Sequence, residues 1–182
     1  MSQSGLHIAL LRGINVGGRN KLPMRELVKI FEEAGCNEVQ TYIQSGNVLY
    51  RADKTVARGL AASVTDGIRK NLGLEIPVVT RTALQWRKVV AANPFLSEGF
   101  DPSTVAVGFL GSRPTPKAIA SLDPDRSPPD SFRVSGSEIY LSMPNGVARS
   151  KLTNAYFDRT LGTVTTVRNW KTTLKLLELA GG

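Results

Sequence analysis

The chain has 182 residues, one cysteine, one histidine and a formal charge of +8, with 41% apolar and 21% charged side chains. This balance lies near the globular average and excludes a disordered chain, a fibrous repeat and a disulfide framework; a domain of this size buries roughly 70% of its unfolded surface unaided. The apolar run at residues 6–11 is too short to span a membrane and has neither a basic leader nor a small-residue cleavage site, so a cytoplasmic protein with no membrane partner is expected.

Residues 6–11 read as a strand, followed by a glycine-rich loop through Leu22 and a helix opened by Pro23, a favoured first-turn residue. Met24, Leu27, Val28 and Phe31 recur at i, i+3, i+4 and i+7, and Gly35 supplies the stop. Residues 39–44 and 47–51 are expected to be strands around the polar turn Ser45-Gly46. A second helix carries Leu60, Ala61, Val64 and Ile68 on one face and ends at Gly73, before a strand at 76–81. The order is βαββαβ, the ferredoxin-like unit in which two helices cover one face of an antiparallel sheet.

A helix around 84–91 and a loop through Asn93-Pro94-Phe95 lead to a strand near 104–110, a short helix at 116–122 and a proline-rich connector at 123–130. Strands at 132–135 and 138–142 flank a second Ser-Gly turn; a helix over 150–161, a strand at 164–168 and a helix from Trp170 complete the pattern. Tyr50 follows Gly46 by four residues as Tyr140 follows Gly136, and the second hairpin lies 90 residues after the first, half the chain. The predicted fold is therefore α/β of the α+β kind, two ferredoxin-like βαββαβ halves in tandem, spanning 1–92 with a trailing helix and 103–182 with a C-terminal helix.

The positive charge is uneven. Residues 11–29 hold Arg12, Arg19, Lys21, Arg25 and Lys29 against Glu26, and residues 149–175 hold Arg149, Lys151, Arg159, Arg168, Lys171 and Lys175 against Asp158. The rest of the chain has 12 basic and 13 acidic residues, so the excess is confined to these two segments. Such fields attract phosphates or nucleic acid, although solvated helix faces give the same counts.

Several catalytic classes are excluded by counting. His7 is the only histidine, without an H-E-x-x-H partner, and no G-x-S-x-G turn exposes a serine nucleophile. The two basic segments contain just two carboxylates, which weighs against magnesium-assisted phosphoryl transfer. No cofactor and no metal site are predicted, and Cys36 reads as a packing residue.

The most distinctive stretch is Arg12-Gly13-Ile14-Asn15-Val16-Gly17-Gly18-Arg19-Asn20-Lys21, between a strand and a helix. Gly13, Gly17 and Gly18 let backbone N–H groups approach an anion, Arg12, Arg19 and Lys21 supply charge, and Asn15 adds a polar group. Gly13 and Gly18 have Walker A spacing, but Arg19-Asn20 replace the required Lys-[Ser/Thr], so this is no P-loop. The alternative is a loop whose glycines satisfy turns and whose Asn15 and Asn20 bond locally. Gln44, Ser45 and Asn47 around the hairpin turn are further candidates to read a ligand, unless they simply form a good turn. Lys151, Asn154, Arg168 and Asn169 lie at two helix starts, which favour anions; Ser150 and Asn169 also read as plain N-caps.

The segments Leu10-Leu11-Arg12-Gly13-Ile14-Asn15-Val16-Gly17-Gly18, Thr41-Tyr42-Ile43-Gln44-Ser45-Gly46-Asn47-Val48 and Val167-Arg168-Asn169-Trp170-Lys171-Thr172 resemble the signature segments of the domain of unknown function 1697 family. Their order and separation fit over nearly the whole chain, with 94–129 least diagnostic. The resemblance implies an uncharacterised, mainly bacterial protein of two ferredoxin-like halves and assigns no activity or catalytic residue. The partner expected from the residues is an anionic small molecule or nucleic acid, held between the halves by the 13–21 loop and the Lys151/Arg168 region. A metal-independent enzyme on a phosphate-bearing substrate and a protein-interaction module remain as alternatives. An RNA-recognition motif is not supported, because its aromatic pattern is missing.

Overall fold

The structure, a computed structural model, describes residues 4–182. Residues 1–3 of the predicted first half lie outside the described residues. It is a mixed α/β protein with two four-stranded antiparallel sheets. The chain groups into two compact units, one running up to Arg87 and including Leu176–Gly182, the other Lys88–Lys175.

In the first unit β1 (Gly5–Leu11), α1 (Met24–Glu33), β2 (Asn37–Tyr42), β3 (Asn47–Ala52), α2 (Lys54–Leu72) and β4 (Val78–Thr82) follow in order, and the sheet runs β2-β3-β1-β4. Strand alternation puts Ala9 and Leu11 of β1, with Val48, Tyr50 and Ala52 of β3, in one buried cluster with Leu27, Ile30 and Phe31 of α1 and Leu60, Val64 and Ile68 of α2. Ile14 and Leu22, at either end of the glycine-rich loop, join that core and anchor the loop. Asp53 caps α2 by accepting from the Thr55 and Val56 N–H groups at 2.8 and 2.9 Å, and Gly73 ends it at φ 66°.

The helix α3 (Ala83–Ala91) opens with a reciprocal capping box: Gln85 Oε1 accepts from Thr82 N–H at 2.8 Å, and Thr82 Oγ1 accepts from Gln85 N–H at 3.0 Å. The second unit continues with α4 (Pro94–Ser97), β5 (Val105–Leu110), α5 (Pro116–Ala120), β6 (Ser131–Ser135), β7 (Glu138–Ser142), α6 (Asn154–Leu161) and β8 (Thr165–Asn169), and α7 (Trp170–Leu179) closes the chain. Its sheet runs β6-β7-β5-β8, the same order as the first. Ala106, Leu110, Ile139 and Leu141 pack with Leu152, Tyr156, Phe157 and Leu161.

Several boundaries differ from those predicted, each for a local reason. β2 stops at Tyr42 rather than residue 44 because Ile43 adopts φ 49°, and its ladder is bulged between Asn37 and Gln40, where Glu38 has φ 48°. β4 begins at Val78 rather than 76; Ile76 is buried before the strand and its carbonyl accepts from Thr65 Oγ1 at 3.3 Å. α4 replaces an expected loop, opened by Asn93, whose Oδ1 accepts from Phe95 N–H at 3.1 Å. α6 begins at Asn154 with Thr153 as its cap, not Ser150; the Ser150 hydroxyl instead accepts from Leu152 N–H at 3.0 Å. Among the described residues no helix is long and apolar enough to cross a membrane.

Candidate functional site

The glycine-rich loop leaves the end of β1 at a fixed point. Leu11 N–H donates to Gly46 O at 2.7 Å and Arg12 N–H to Pro77 O at 3.1 Å. Beyond them Gly13 takes φ 71° and Asn15 φ 53°, and the chain folds into a miniature hairpin. Asn15 N–H donates to Asn20 O at 3.1 Å and Arg19 N–H to Val16 O at 3.0 Å, around Gly17 and Gly18 at φ 57° and 74°. Two central residues with positive φ are what a tight two-residue hairpin turn requires, and glycine supplies them without steric cost.

Three asparagine side chains hold this loop and the β2–β3 turn together. The Asn15 amide nitrogen donates to Leu22 O at 2.9 Å and to Gln44 O at 3.0 Å, while its oxygen accepts from Leu22 N–H at 2.9 Å. The Asn20 amide donates to Gly13 O at 2.8 Å. Asn47, fully buried, donates to Tyr42 O at 3.2 Å and to Ser45 Oγ at 3.0 Å. Gly46 completes the junction: a Cβ there would lie 2.7 Å from Leu11 Cβ and 2.9 Å from Leu11 O. The segments 12–22 and 42–47 therefore form one wired structure, and Asn15, Asn20 and Asn47 spend their amides on building it.

Other groups are left at the surface. Arg12 and Ser45 are partly buried, and Arg19, Lys21 and Gln44 are exposed. Among the described residues the side chains of Arg19 and Lys21 have neither a hydrogen bond nor an ion pair, and the Gly17 and Gly18 N–H groups have no protein acceptor. Two aliphatic side chains of the same loop and turn also face solvent: Val16 is 63% and Ile43 51% exposed.

The model of the family described as "Protein of unknown function (DUF1697)" matches residues 5–140, three quarters of the chain. The chain belongs to that family. The match contains both halves of the wired loop and ends before Arg168. No curated protein matches the DUF1697 chain. A conserved bacterial protein from Streptococcus pneumoniae has a similar solved structure, with a TM-score of 0.69 and 19% identity over 98% of this chain and 99% of that chain. Identity at that level speaks for the fold alone.

The remaining candidates of this DUF1697 protein lie in the second unit. Lys151 is exposed; its N–H donates to Ser127 Oγ at 3.0 Å and its carbonyl accepts from Arg126 Nε at 3.1 Å. Asn154 is the first residue of α6, and its buried side-chain oxygen has no hydrogen-bond partner among the described residues. Arg168 donates to Val167 O at 3.0 Å, and burial pulls its guanidinium down to about 10. Asn169 caps α7, its oxygen accepting from Thr172 N–H at 2.8 Å.

His7 stacks on Tyr50, centroids 5.3 Å apart and planes at 14°, and burial holds its imidazole below the ordinary value. Cys36 is buried and burial pushes its thiol up to about 11, so the thiolate needed for reactivity is disfavoured. Among the described residues no three His, Cys, Asp or Glu side chains are grouped to hold a metal ion. Arg19 stands out in the sequence by its charge, whereas nothing local marks Val16 and Ile43 as exposed; at Ile43 the backbone takes φ 49°, where a β-branched residue is the last type expected.

Proposed function

We propose that this protein binds an anionic or phosphorylated ligand at the 12–21 loop of the first unit. One observation carries the reading: among the described residues Arg19, Lys21 and the Gly17 and Gly18 N–H groups have no protein partner, on a loop whose shape is fixed by its own asparagines. Donors held in place before binding lose little freedom when an anion arrives, and arginine and lysine add charge that fits phosphate. Segments 11–22 and 42–48 contain no carboxylate, imidazole or thiol, which favours binding over turnover. In the second unit Asn169 is committed as a cap and Arg168 donates to the neighbouring Val167 carbonyl, so the proposal rests on the first unit. The common strand order of the two sheets supports reading both units as ferredoxin-like halves.

Thermal unfolding against phosphate, sulfate, phosphosugars and nucleotides, at low and moderate salt, tests the site. A ligand at 100 times its Kd adds about 2.7 kcal/mol, or roughly 5–10 °C for a chain of this length. The shift should vanish in an Arg19→Ala/Lys21→Ala variant and persist in Arg113→Ala, an exposed arginine of the second unit. Equal effects of the two variants, or no shift with any anion, would overturn the proposal.

A further inference from the structure

The loop and turn that carry the positive charge also expose two aliphatic side chains, and at one of them the backbone is strained. Ile43 has φ 49°, a conformation that β-branched residues avoid, and is 51% exposed. The carbonyls on both sides of it are pinned: Tyr42 O by the Asn47 amide at 3.2 Å and Gln44 O by the Asn15 amide at 3.0 Å. Val16, 63% exposed, follows Asn15 directly, so the Asn15–Gln44 hydrogen bond ties the residue before Val16 to the residue after Ile43. Two half-exposed aliphatic side chains are thereby held at the loop that carries Arg19, Lys21 and the free N–H groups of Gly17 and Gly18.

Resting on the anion-site reading, we infer that the ligand is a phosphate joined to a nucleobase, with the base covering Val16 and Ile43 and the phosphate meeting Arg19, Lys21 and the glycine N–H groups. The charge at the site selects an anion, and the apolar pair selects an anion carrying a flat, weakly hydrated ring over a bare phosphate or a sugar phosphate. A free nucleotide and a single-stranded oligonucleotide offer the same chemistry.

Isothermal titration of the whole chain with inorganic phosphate, ribose 5-phosphate, adenosine monophosphate and a short single-stranded oligonucleotide tests this. Adenosine monophosphate should bind about tenfold tighter than ribose 5-phosphate, the return on burying one ring face. Ile43→Gly and Val16→Ser together should remove most of that gain, bringing adenosine monophosphate down to the affinity of ribose 5-phosphate in the same variant, whereas Arg19→Ala weakens every ligand. Ile43→Gly suits the positive φ, so retained folding is expected and is checked by thermal unfolding. An oligonucleotide that binds tighter still, with a steep salt dependence, assigns the site to nucleic acid; a flat response assigns it to free nucleotide. If phosphate binds and the nucleotide gains nothing over ribose 5-phosphate, this inference fails and the anion site stands. If no phosphate-bearing ligand binds, both fail. Sedimentation with phosphatidylserine vesicles, or self-association abolished by Ile43→Gly, in place of nucleotide binding would assign the patch to a bilayer or a second copy and overturn the inference.

Discussion

Replacing Gly46 by alanine perturbs the joint between the loop and the β2–β3 turn at its tightest point. The new Cβ meets backbone as well as side chain, 2.9 Å from Leu11 O and 2.7 Å from Leu11 Cβ, with Ile14 Cδ1 at 3.2 Å. Leu11 cannot retreat, because its N–H is bonded to Gly46 O at 2.7 Å and it lies in the core. Holding alanine at positive φ costs about 1–2 kcal/mol, and forcing a methyl into a filled site adds about 1–3 kcal/mol. A loss of about 3 kcal/mol corresponds to a drop of about 6–12 °C in Tm for a chain of this length. Gly17→Ala is the matched control: φ is 57°, but no atom of the described residues beyond its chain neighbours lies within 4 Å of the added Cβ, so it should lose only the conformational part, about 1–2 kcal/mol. Thermal unfolding followed by circular dichroism reads both. Equal losses for the two variants would show that the close approach of Gly46 to Leu11 places no steric demand on this position.

Asn15→Ala removes two donated bonds and one accepted bond from a partly buried position and should cost about 2–3 kcal/mol in urea denaturation; a loss no larger than that of an exposed surface variant would contradict its role as the clamp. Cys36 is held protonated by burial, with its thiol raised from 9.0 to about 11. Its folded form therefore keeps its proton longer than the unfolded chain, and stability present below pH 9 should fall as pH rises toward 11. Tyr50, also pushed up by burial, contributes to the same decline, so Cys36→Ala should flatten the urea midpoint between pH 9 and 11 only in part; an unchanged slope would sink this assignment. His7 has the opposite sign: burial lowers it from 6.5, so the unfolded chain binds the proton first and stability should fall as pH drops below 6.5. His7→Gln should remove that component, and an acid limb identical to the wild type between pH 6.5 and 5 would contradict it.

Much of the architecture was legible in the sequence because burial imposes periodicity. The stripe Leu27, Phe31 with Met24 and Val28 marked α1, and Leu60, Val64 and Ile68 marked α2, since each helix has one face on a sheet. The glycines at 13, 17, 18 and 46 announced turns, and all four adopt positive φ. Asparagine at 15 and 20, also at positive φ, is the usual substitute for glycine there, which is why local bonding was a visible alternative for both. What was illegible depends on contacts far along the chain. That Asn15 reaches Gln44, 29 residues away, follows from strand pairing between β1 and β3 rather than from any local pattern. The positive φ of Ile43 runs against its own preference and is imposed by the bonds on its neighbours, so propensity placed the strand end two residues late. Thr153 outcompetes Ser150 as the α6 cap because Ser150 closes a preceding turn, a choice between two equally good capping residues.

Whether the wired loop holds an anion is decided by an amide NMR titration of the isotopically labelled protein with inorganic phosphate at low salt. Saturable shifts centred on Gly17, Gly18, Arg19 and Lys21, and absent from the Arg19→Ala/Lys21→Ala variant, are the predicted result. Shifts that do not saturate, that centre elsewhere, or that persist in that variant would show that this loop is not an anion site.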